Sequence, residues 1–473
     1  MVFSSLLFIF AFLTPCLIVY TIVPWRYKNW VLLAFSLVFY AWGGIQFVGI
    51  LIADAFVCWF FALQIERCNS RRAGKAFLVL ACIVLLGFLI IFKYTNFFAA
   101  NLHALFGVPK EIPHILLPIG ISFYTFQLLS YVADVYRGEV DAQPNYFKLL
   151  LYASLFHQCI AGPIVRYETV AGEIEKRSVT LSDIYYGIRR FCVGLAKKAL
   201  LANGCAAIAD QILDGGAKAL HAQSTVALWI GLFAYSLEIY LDFSAYSDMA
   251  IGMGRMVGFH YLENFNYPYT ASSVQDFWRR WHISLSSFFR DYVYIPLGGN
   301  RCSTRRFVFN MTVVWLLTGM WHGASWNYIL WGAFYLAFLL LERFVIRGRI
   351  RPGLDHLYTL FVVFIGWDLF RFENIKEAGI TFIGLFGIGT AGFAGLQIRT
   401  IILENLFFLI FCVIACTPLG KKLRSLLHAW GRRSTVGFYV FETQEMVLPA
   451  ICLILSVLAL IGNTYNPFLY FQF

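Results

Sequence analysis

Charged residues are scarce in this sequence. Asp, Glu, Lys and Arg make up only 13% of its 473 residues, whereas 60% are hydrophobic, and the mean hydropathy is +0.70. A water-soluble globule needs more polar surface than this to cover its apolar side chains, which excludes that class of protein. We therefore expect lipid to be the solvent around most of the chain.

The usual signatures of metal and nucleophile chemistry are missing as well. The 11 cysteines are scattered singly, with no Cys-x-x-Cys pair, which indicates neither a zinc site nor a disulfide framework. The sequence has no Gly-x-Ser-x-Gly elbow and no His-Glu-x-x-His motif. We expect no metal and no permanently bound cofactor. No inverted repeat is visible either, which argues against a secondary transporter.

Apolar runs of about 20 residues, the length of a membrane-spanning helix, recur along the whole chain. We expect about ten to thirteen crossings in one all-α membrane domain over residues 1–473. Arg26 and Lys28 follow the first run and no basic residue precedes it, so we expect an uncleaved helix there. The predicted segments lie near 3–23, 30–41, 45–63, 76–95, 115–133, 147–161, 186–213, 225–242, 308–320, 325–345, 356–371, 378–394, 400–416 and 435–462.

The net charge of +11 comes from basic residues in short connectors. Each cluster is flanked by apolar runs, so we attribute it to the positive-inside rule, which places these connectors in the cytoplasm beside anionic lipid headgroups. Nucleic-acid binding is the alternative, but the clusters are brief and we expect no nucleic-acid partner. The clusters are Arg67, Arg71, Arg72, Lys75; Arg189, Arg190, Lys197, Lys198; Arg301, Arg305, Arg306; Arg343, Arg347, Arg349, Arg351; and Lys421, Lys422, Arg424, Arg432, Arg433.

Two apolar stretches are too rich in Gly and Pro to be simple spans. One covers 147–165 and contains Ala161, Gly162 and Pro163; the other covers 291–300. Irregular backbone at membrane depth is tolerated only inside protein or along a wet cavity. The sequence therefore predicts a lined cavity.

His322 is the strongest candidate for chemistry. It follows the run 307–317 and has Gly319 and Gly323 on either side, which allow close approach of another backbone or a substrate. Burial would keep its imidazole neutral and able to take a proton from a hydroxyl. The alternative is an interhelical hydrogen bond, which is worth about 0.6 kcal/mol in membrane proteins.

His282 lies in the stretch 276–291, where Trp278, Trp281, Leu285 and Phe288 recur at helical spacing. This pattern predicts one amphipathic, interfacial helix. Its arginines, Arg279, Arg280 and Arg290, are suited to phosphate groups. A helix that is only anchored to headgroups is the alternative, and for these arginines we favour it.

Glu238 and Asp242 are four residues apart, so their carboxylates share one helix face inside an apolar run. The pair could relay protons, or it could pair with an arginine or cap an unwound turn at Ser244 and Ser247. We favour the structural role. His157 is the weakest histidine candidate and is more typical of a packed polar residue.

Seven motifs along most of the chain carry a family resemblance. They lie at 35–43, 118–127, 134–138, 161–166, 242–252, 276–301 and 319–323. In their order and spacing the sequence resembles the membrane-bound O-acyltransferase family. The ending Tyr-Ile-Pro-Leu-Gly-Gly-Asn-Arg at 294–301 favours the branch that serves alginate O-acetylation over the branch that D-alanylates teichoic acids.

The resemblance implies a ring of tilted helices around a central funnel in the inner (plasma) membrane. It also implies an O-acetyltransferase that takes acetyl from a cytoplasmic thioester, with acetyl-CoA as donor. The acetyl group would pass to an extracytoplasmic partner protein that acetylates an exported polysaccharide such as alginate.

The same resemblance assigns roles to individual residues. The family histidine falls on His322, which would be the base or handle the acyl group directly. His282 would orient the donor or polarise its carbonyl. Weaker members of the site would be Trp321, Asp291, Arg290, Asn300 and Trp278. Leu155-Phe-His-Gln158 departs from the family pattern, which expects Pro beside Gln, and leaves the role of His157 open.

Two other functions compete with this interpretation. A proton-coupled transporter would use Glu238, Asp242 and Asp248. An acyltransferase that acts on a lipid or protein hydroxyl would keep the enzyme class but change the acceptor.

Overall fold

The computed structural model describes residues 1–107, 115–160, 162–346 and 351–462. Within these ranges the chain is built from helices and contains no β-strand, so the all-α prediction is confirmed. Ala161, which belongs to a predicted broken segment, and Arg347 and Arg349, which belong to a basic connector, lie outside the described residues.

The described chain contains the following α-helices in order. They are α1 (Thr14–Ile22), α2 (Trp25–Trp42), α3 (Val48–Arg67), α4 (Arg71–Phe106), α5 (Ile121–Arg137), α6 (Tyr146–Ser154), α7 (Tyr167–Glu175), α8 (Leu181–Ala196), α9 (Asn203–Leu213), α10 (Gly216–His221), α11 (Thr225–Met256), α12 (Val274–Arg280), α13 (Ile283–Phe289), α14 (Thr304–His322), α15 (Trp326–Leu341), α16 (Leu354–Arg371), α17 (Ile375–Gly384), α18 (Leu396–Ala415), α19 (Leu419–Gly431) and α20 (Thr435–Gly462). Segments of π-helix occupy Leu7–Leu13, Lys197–Ala202, Arg290–Tyr294 and Glu342–Ile346, and 3-10 turns occupy Ile45–Phe47 and Pro268–Thr270.

Seven helical stretches in the described ranges are long and apolar enough to cross a membrane. The protein is therefore a multi-pass membrane protein. The number is below the expectation because other apolar helices are short, such as Leu7–Ile22, or begin with charges, as α14 does with Arg305 and Arg306. The seven are Ile45–Arg67, Arg71–Phe106, Leu181–Leu213, Thr225–Met256, Trp326–Ile346, Leu396–Ala415 and Thr435–Gly462.

The described residues form two compact units. The first contains Met1–Phe191, Ser247–Glu263 and Ser287–Val293, and the second contains Cys192–Tyr246, Asn264–Ser286 and Tyr294–Phe473 as far as it is described. The single membrane domain over 1–473 and the ring with a central funnel stay predictions.

In the first unit, α5 is buried on all sides along its first two turns. Every residue from 121 to 128 is buried. The helix packs against α3 and α4. A helix with this pattern belongs to a protein interior rather than to a lipid-facing surface. This explains why polar residues such as Ser122 and Gln127 occur in an apolar motif.

In the second unit, α14 and α15 pack backbone against backbone. A Cβ atom on Gly319 would lie 2.3 Å from the carbonyl oxygen of Tyr328, and one on Gly332 would lie 2.4 Å from that of Trp315. Small residues permit this close approach of helices. The packing fixes the C-terminal end of α14, which carries His322.

The structure confirms the broken stretches and corrects two helices. α6 ends at Ser154 and turns follow, and 295–300 forms turns rather than a span. The predicted single helix over 276–291 is wrong, because it breaks between α12 and α13 at Trp281 and His282. The segment predicted at 225–242 continues as α11 to Met256, without an unwound turn at Ser244.

Candidate functional site

His322 is the last residue of α14 and is only 3% exposed. Ser303 caps the start of the helix by accepting a hydrogen bond from the N–H of Arg306 (3.4 Å). His322 therefore lies at the opposite end of α14 from Arg305 and Arg306.

Three aromatic rings enclose the imidazole of His322. Its centroid lies 4.9 Å from Trp331, 5.0 Å from Trp321 and 5.1 Å from Phe370, and each pair is close to perpendicular. Apolar walls of this kind exclude water from the imidazole.

His282 lies at the break between α12 and α13. Its φ is +43°, a left-handed conformation that is uncommon for residues other than Gly and that concentrates at functional sites. The side chain is 1% exposed, and burial lowers its pKa to about 3. His282 is therefore neutral at physiological pH.

The carboxamide of Asn264 fixes the tautomer of His282. Asn264 Oδ1 accepts hydrogen bonds from the backbone N–H and the hydroxyl of Ser284, at 3.2 and 2.8 Å. Because a backbone N–H only donates, the atom that faces it is oxygen. His282 Nδ1 lies 3.2 Å from the same oxygen, so Nδ1 carries the proton and Nε2 is the basic nitrogen.

Trp321 contacts both histidines. Its ring lies 5.6 Å from that of His282 and 5.0 Å from that of His322. His282 also meets Phe243 edge to face at 4.7 Å. The structure thus brings His282, Trp321 and His322 together in one aromatic pocket of the second unit.

Trp278 belongs to a neighbouring ring cluster. It lies 5.1 Å from Trp315, 5.3 Å from Trp331 and 4.8 Å from Tyr335, measured between ring centroids. Trp331 in turn contacts His322, so one ring connects Trp278 to the histidine. Burial of Trp278 in this cluster replaces the interfacial position expected from the sequence.

Asn300 lies apart from these rings. It is exposed, accepts a hydrogen bond from the hydroxyl of Tyr294 (2.6 Å), and is 3.3 Å from Arg343 Nη1. Arg343 also stacks over Phe307. Asn300 thus belongs to a basic, exposed part of the second unit.

Arg290 and Asp291 lie in the first unit, where the structure joins them to Arg166. The guanidinium of Arg166 and that of Arg290 both donate to the carboxylate of Asp291, and Arg137 donates to its backbone carbonyl (2.8 Å). Burial alone would raise the pKa of Asp291, but the hydrogen bonds from Arg290 and Arg166 hold it below its usual value. Asp291 is therefore ionised and holds two arginines.

A cavity of about 410 Å³ opens in the second unit near the ends of α9 and α16. Tyr328 lines it and contacts Phe370 at 5.1 Å, and Phe370 contacts His322. Ring contacts therefore connect the cavity to the candidate base. The lining residues are Leu213, Asp214, Gly215, Gly216, Tyr235, Tyr328, Arg371, Phe372, Glu373, Asn374 and Glu377.

The cavity has a charged rim at the end of the helical stretch Leu181–Leu213. Arg189, Arg190, Lys197 and Lys198 lie within that stretch, rather than in the short connector predicted from the sequence. Arg371 at the rim pairs with Asp210 (2.7 Å) and Asp214 (2.6 Å). A solute that enters the cavity thus meets a polar, charged mouth.

The carboxylates of the transporter alternative are largely committed to ion pairs. Asp242 pairs with Lys198 at 2.8 Å, a lysine rather than the arginine expected, and Asp248 pairs with Arg190 in the first unit at 2.9 Å. Glu238 is buried in the second unit. His157 shares a hydrogen bond with Tyr261 (2.7 Å) deep in the first unit.

Sequence reasoning missed Asn264, Trp331, Phe370 and Arg166 as members of these clusters. Arg166 lies in a quoted motif and could have been considered. The other three come from distant parts of the chain and carry no local signal. In the described ranges, no group of three or more His, Cys, Asp or Glu side chains could hold a metal ion.

Comparison with known proteins identifies the family of the chain. The sequence profile of the membrane-bound O-acyltransferase family matches residues 138–360. The chain is 38% identical to a protein of Azotobacter vinelandii named "probable alginate O-acetylase" over 511 aligned residues, covering 100% of both chains. A protein of the same name from Pseudomonas aeruginosa is 38% identical over 525, again covering 100% of both chains.

A third relative differs in its named substrate. The peptidoglycan O-acetyltransferase of Helicobacter pylori is 30% identical over 521 aligned residues, with 100% of this chain and 98% of the relative covered. Full-length similarity at this level, together with the helical architecture, assigns the enzyme class. The chain belongs to the membrane-bound O-acyltransferase family and is an O-acyltransferase.

Proposed function

We propose that the protein takes acetyl from acetyl-CoA in the cytoplasm and passes it across the inner membrane for O-acetylation of an exported, alginate-like polysaccharide. The observation that carries the proposal is the position of His322. It is buried at the end of α14 opposite Arg305 and Arg306, and ring contacts link it through Phe370 and Tyr328 to a cavity. By the positive-inside rule, the arginines would lie in the cytoplasm and the cavity would face outward.

The reaction needs one proton acceptor between two substrates. The acceptor hydroxyl attacks the thioester carbonyl carbon, His322 takes the hydroxyl proton, and the carbon–sulfur bond breaks. The proton then passes to the departing thiolate. A thioester needs little activation, so one base in a water-poor pocket suffices.

The two substrates would approach His322 from opposite sides. The outer cavity, about 410 Å³ in volume, is large enough for a sugar hydroxyl or for a side chain of an extracytoplasmic partner protein. The thioester would come along α14 from its basic, cytoplasmic end. This arrangement would transfer only the acyl group across the membrane.

His282 would act through Nε2. The proton on Nδ1 is committed to Asn264, which leaves Nε2 as an acceptor. An acceptor cannot polarise a carbonyl oxygen, so we favour the first of the two roles considered for His282. It would orient the donor by accepting a hydrogen bond from an N–H or O–H group of the acyl donor.

The transporter alternative is disfavoured because Asp242, one of the carboxylates that it would use, is held in an ion pair with Lys198 at 2.8 Å. The second alternative, a lipid or protein acceptor, shares the same site. Mass spectrometry of the surface polysaccharide from cells with and without the gene distinguishes a lipid or protein acceptor from a polysaccharide acceptor.

Acetyl transfer by purified protein in liposomes tests the proposal directly. With acetyl-CoA on one side, we expect the wild type to release coenzyme A when an oligosaccharide acceptor is on the other. His322→Ala should lose at least 100-fold in rate, an order expected for a general base. His428→Ala, in the exposed helix α19, serves as the control and should keep full activity. Acetylation that survives His322→Ala would refute the proposal.

A further inference from the structure

Three hydrogen-bond donors beside His322 have no partner among the described residues. They are the indole N–H groups of Trp278 and Trp331 and the hydroxyl of Tyr335, and all three are sealed from solvent. Natural proteins leave few buried polar atoms unpaired, because each one forfeits its hydrogen bonds to water. Three in one place therefore require an explanation.

The three donors belong to rings in mutual contact. The centroid of Tyr335 lies 4.8 Å from that of Trp278 and 5.1 Å from that of Trp331, and the two indoles are 5.3 Å apart. The rings come from α12 and α15, so the cluster is assembled by tertiary packing. The three side chains that carry the unpaired donors therefore belong to one cluster.

Another indole N–H group in the same ring cluster does have a hydrogen-bond partner. Trp367, which lies 6.5 Å from Trp331, donates its indole N–H to the hydroxyl of Tyr269 (3.1 Å). Tyr269 in turn donates to the backbone carbonyl of Ser236. Aromatic packing alone thus does not force an unpaired donor.

The chemistry of the unpaired groups selects the ligand. An indole N–H can only donate, and the hydroxyl of Tyr335 can donate. Cations and N–H groups are poor ligands for such a set, whereas a carbonyl oxygen is a good one. The occupant therefore presents acceptor oxygens, as the carbonyl groups of a thioester and an amide do.

The cluster lies on the donor side of His322. The ring of Trp331 touches that of His322 at 4.9 Å. Tyr335 is one helical turn farther along α15, toward Arg343 and the cytoplasm. A thioester that reaches His322 from the cytoplasm would pass Tyr335 first.

We propose that Trp278, Trp331 and Tyr335 form a subsite for the carbonyl oxygens of the acyl donor, namely its thioester carbonyl and the amide carbonyl nearest to it. The inference rests on the proposed function. Because solvent does not reach the three donors, the rings must separate to admit the ligand, so the donor itself opens the subsite.

Tyr335→Phe is the sharpest test, since it removes one oxygen and keeps the ring. We expect the KM for acetyl-CoA to rise about three- to ten-fold, as for the loss of one neutral hydrogen bond, with kcat nearly unchanged. The melting temperature of the donor-free protein should stay the same or rise, because the hydroxyl has no partner there. A structural hydroxyl would give the opposite signs.

Tyr269→Phe is the matched control, because its hydroxyl is paired. We expect it to lower the melting temperature and leave the KM unchanged. Acetyl-pantetheine, which carries the same carbonyls without the nucleotide, should show the same rise in KM for Tyr335→Phe. This result would identify the acetyl-pantetheine part of the donor, rather than its nucleotide, as the ligand of the subsite.

Two outcomes would overturn the subsite. One is an unchanged KM in Tyr335→Phe, and the other is a lower melting temperature of the donor-free variant. Failure of the proposed function is distinct from both, because the wild type itself would then transfer no acetyl from acetyl-CoA. The melting temperatures still test the unpaired hydroxyl in that case.

Discussion

Asn264 Oδ1 lies 3.2 Å from His282 Nδ1 and determines which nitrogen of the imidazole is basic. The backbone helps to hold this geometry, since the N–H of Ile283 donates to the carbonyl of Asn264 (2.9 Å). The left-handed conformation of His282 is therefore a product of long-range packing. In the proposed function Asn264 is a positioning residue, because it would act on substrate only through His282.

Asn264→Asp should change the pH dependence of acetyl transfer. A carboxylate at Nδ1 stabilises the imidazolium and raises the pKa of His282 from its value of about 3. As the pH falls through the raised pKa, Nε2 becomes protonated and stops accepting hydrogen bonds. We expect an additional loss of activity on the acid side, measured as kcat/KM between pH 5 and 8 (about the range in which histidine titrates).

Asn264→Leu provides the comparison. It removes the hydrogen bond without adding charge, so kcat/KM should fall about ten-fold at every pH, with no new acid limb. Identical pH profiles for the two variants would contradict the assignment of Nδ1 as the protonated nitrogen.

The sequence predicts those residues of the candidate site whose signal lies in their immediate sequence neighbours. His322 interrupts an apolar run beside Gly319 and Gly323, and such a polar residue in a membrane segment is a functional candidate by default. The backbone contact of Gly319 with Tyr328 confirms that the glycines permit close approach.

The sequence did not predict the features of the site that depend on tertiary packing. Trp278, Trp281, Leu285 and Phe288 keep helical spacing through 276–291, and no Gly or Pro marks the break at His282. The break depends on Asn264, which precedes His282 by 18 residues. The partner of Asp242 was missed for the same reason, because Lys198 lies on another helical segment.

Asp291→Asn should destabilise the first unit. It leaves the guanidinium of Arg166, which is only 26% exposed, without its charge partner. We expect a loss of about 1–3 kcal/mol, seen as a lower melting temperature in detergent. Since the pKa of Asp291 is lowered in the folded protein, its contribution is present above about pH 4 and is lost as the pH falls through the folded value. The difference from wild type should therefore shrink in acid.

Arg290→Gln tests whether the more buried arginine, Arg166, contributes more to stability than Arg290 does. Arg290 contacts the same carboxylate but is 62% exposed, so its ion pair is screened by solvent. We expect a change within about 0.5 kcal/mol. A larger effect for Arg290→Gln than for Arg166→Gln would mean that burial does not set the strength of this cluster.

Lys198→Met should be strongly destabilising, because it leaves the carboxylate of Asp242 buried without its ammonium partner. Both side chains are almost fully buried and 2.8 Å apart. Loss of one member of a buried pair costs about 3–5 kcal/mol. The double variant Lys198→Met with Asp242→Leu should recover most of this loss and most of the acetyl transfer, whereas a proton relay through Asp242 would leave the double variant stable but inactive.

Gly319→Ala should disturb the site from a distance of one helical turn. The added Cβ would lie 2.3 Å from the carbonyl oxygen of Tyr328, so α15 must move away from α14, and His322 and Trp331 lose their register. Such overpacking costs about 1–3 kcal/mol of stability. Acetyl transfer should fall by more than this loss of folded protein explains. Gly87→Ala in α4 is the matched control, since its Cβ would meet no atom within 4 Å. It should leave the melting temperature and the activity close to those of the wild type, and equal behaviour of the two variants would show that the contact between α14 and α15 does not position His322.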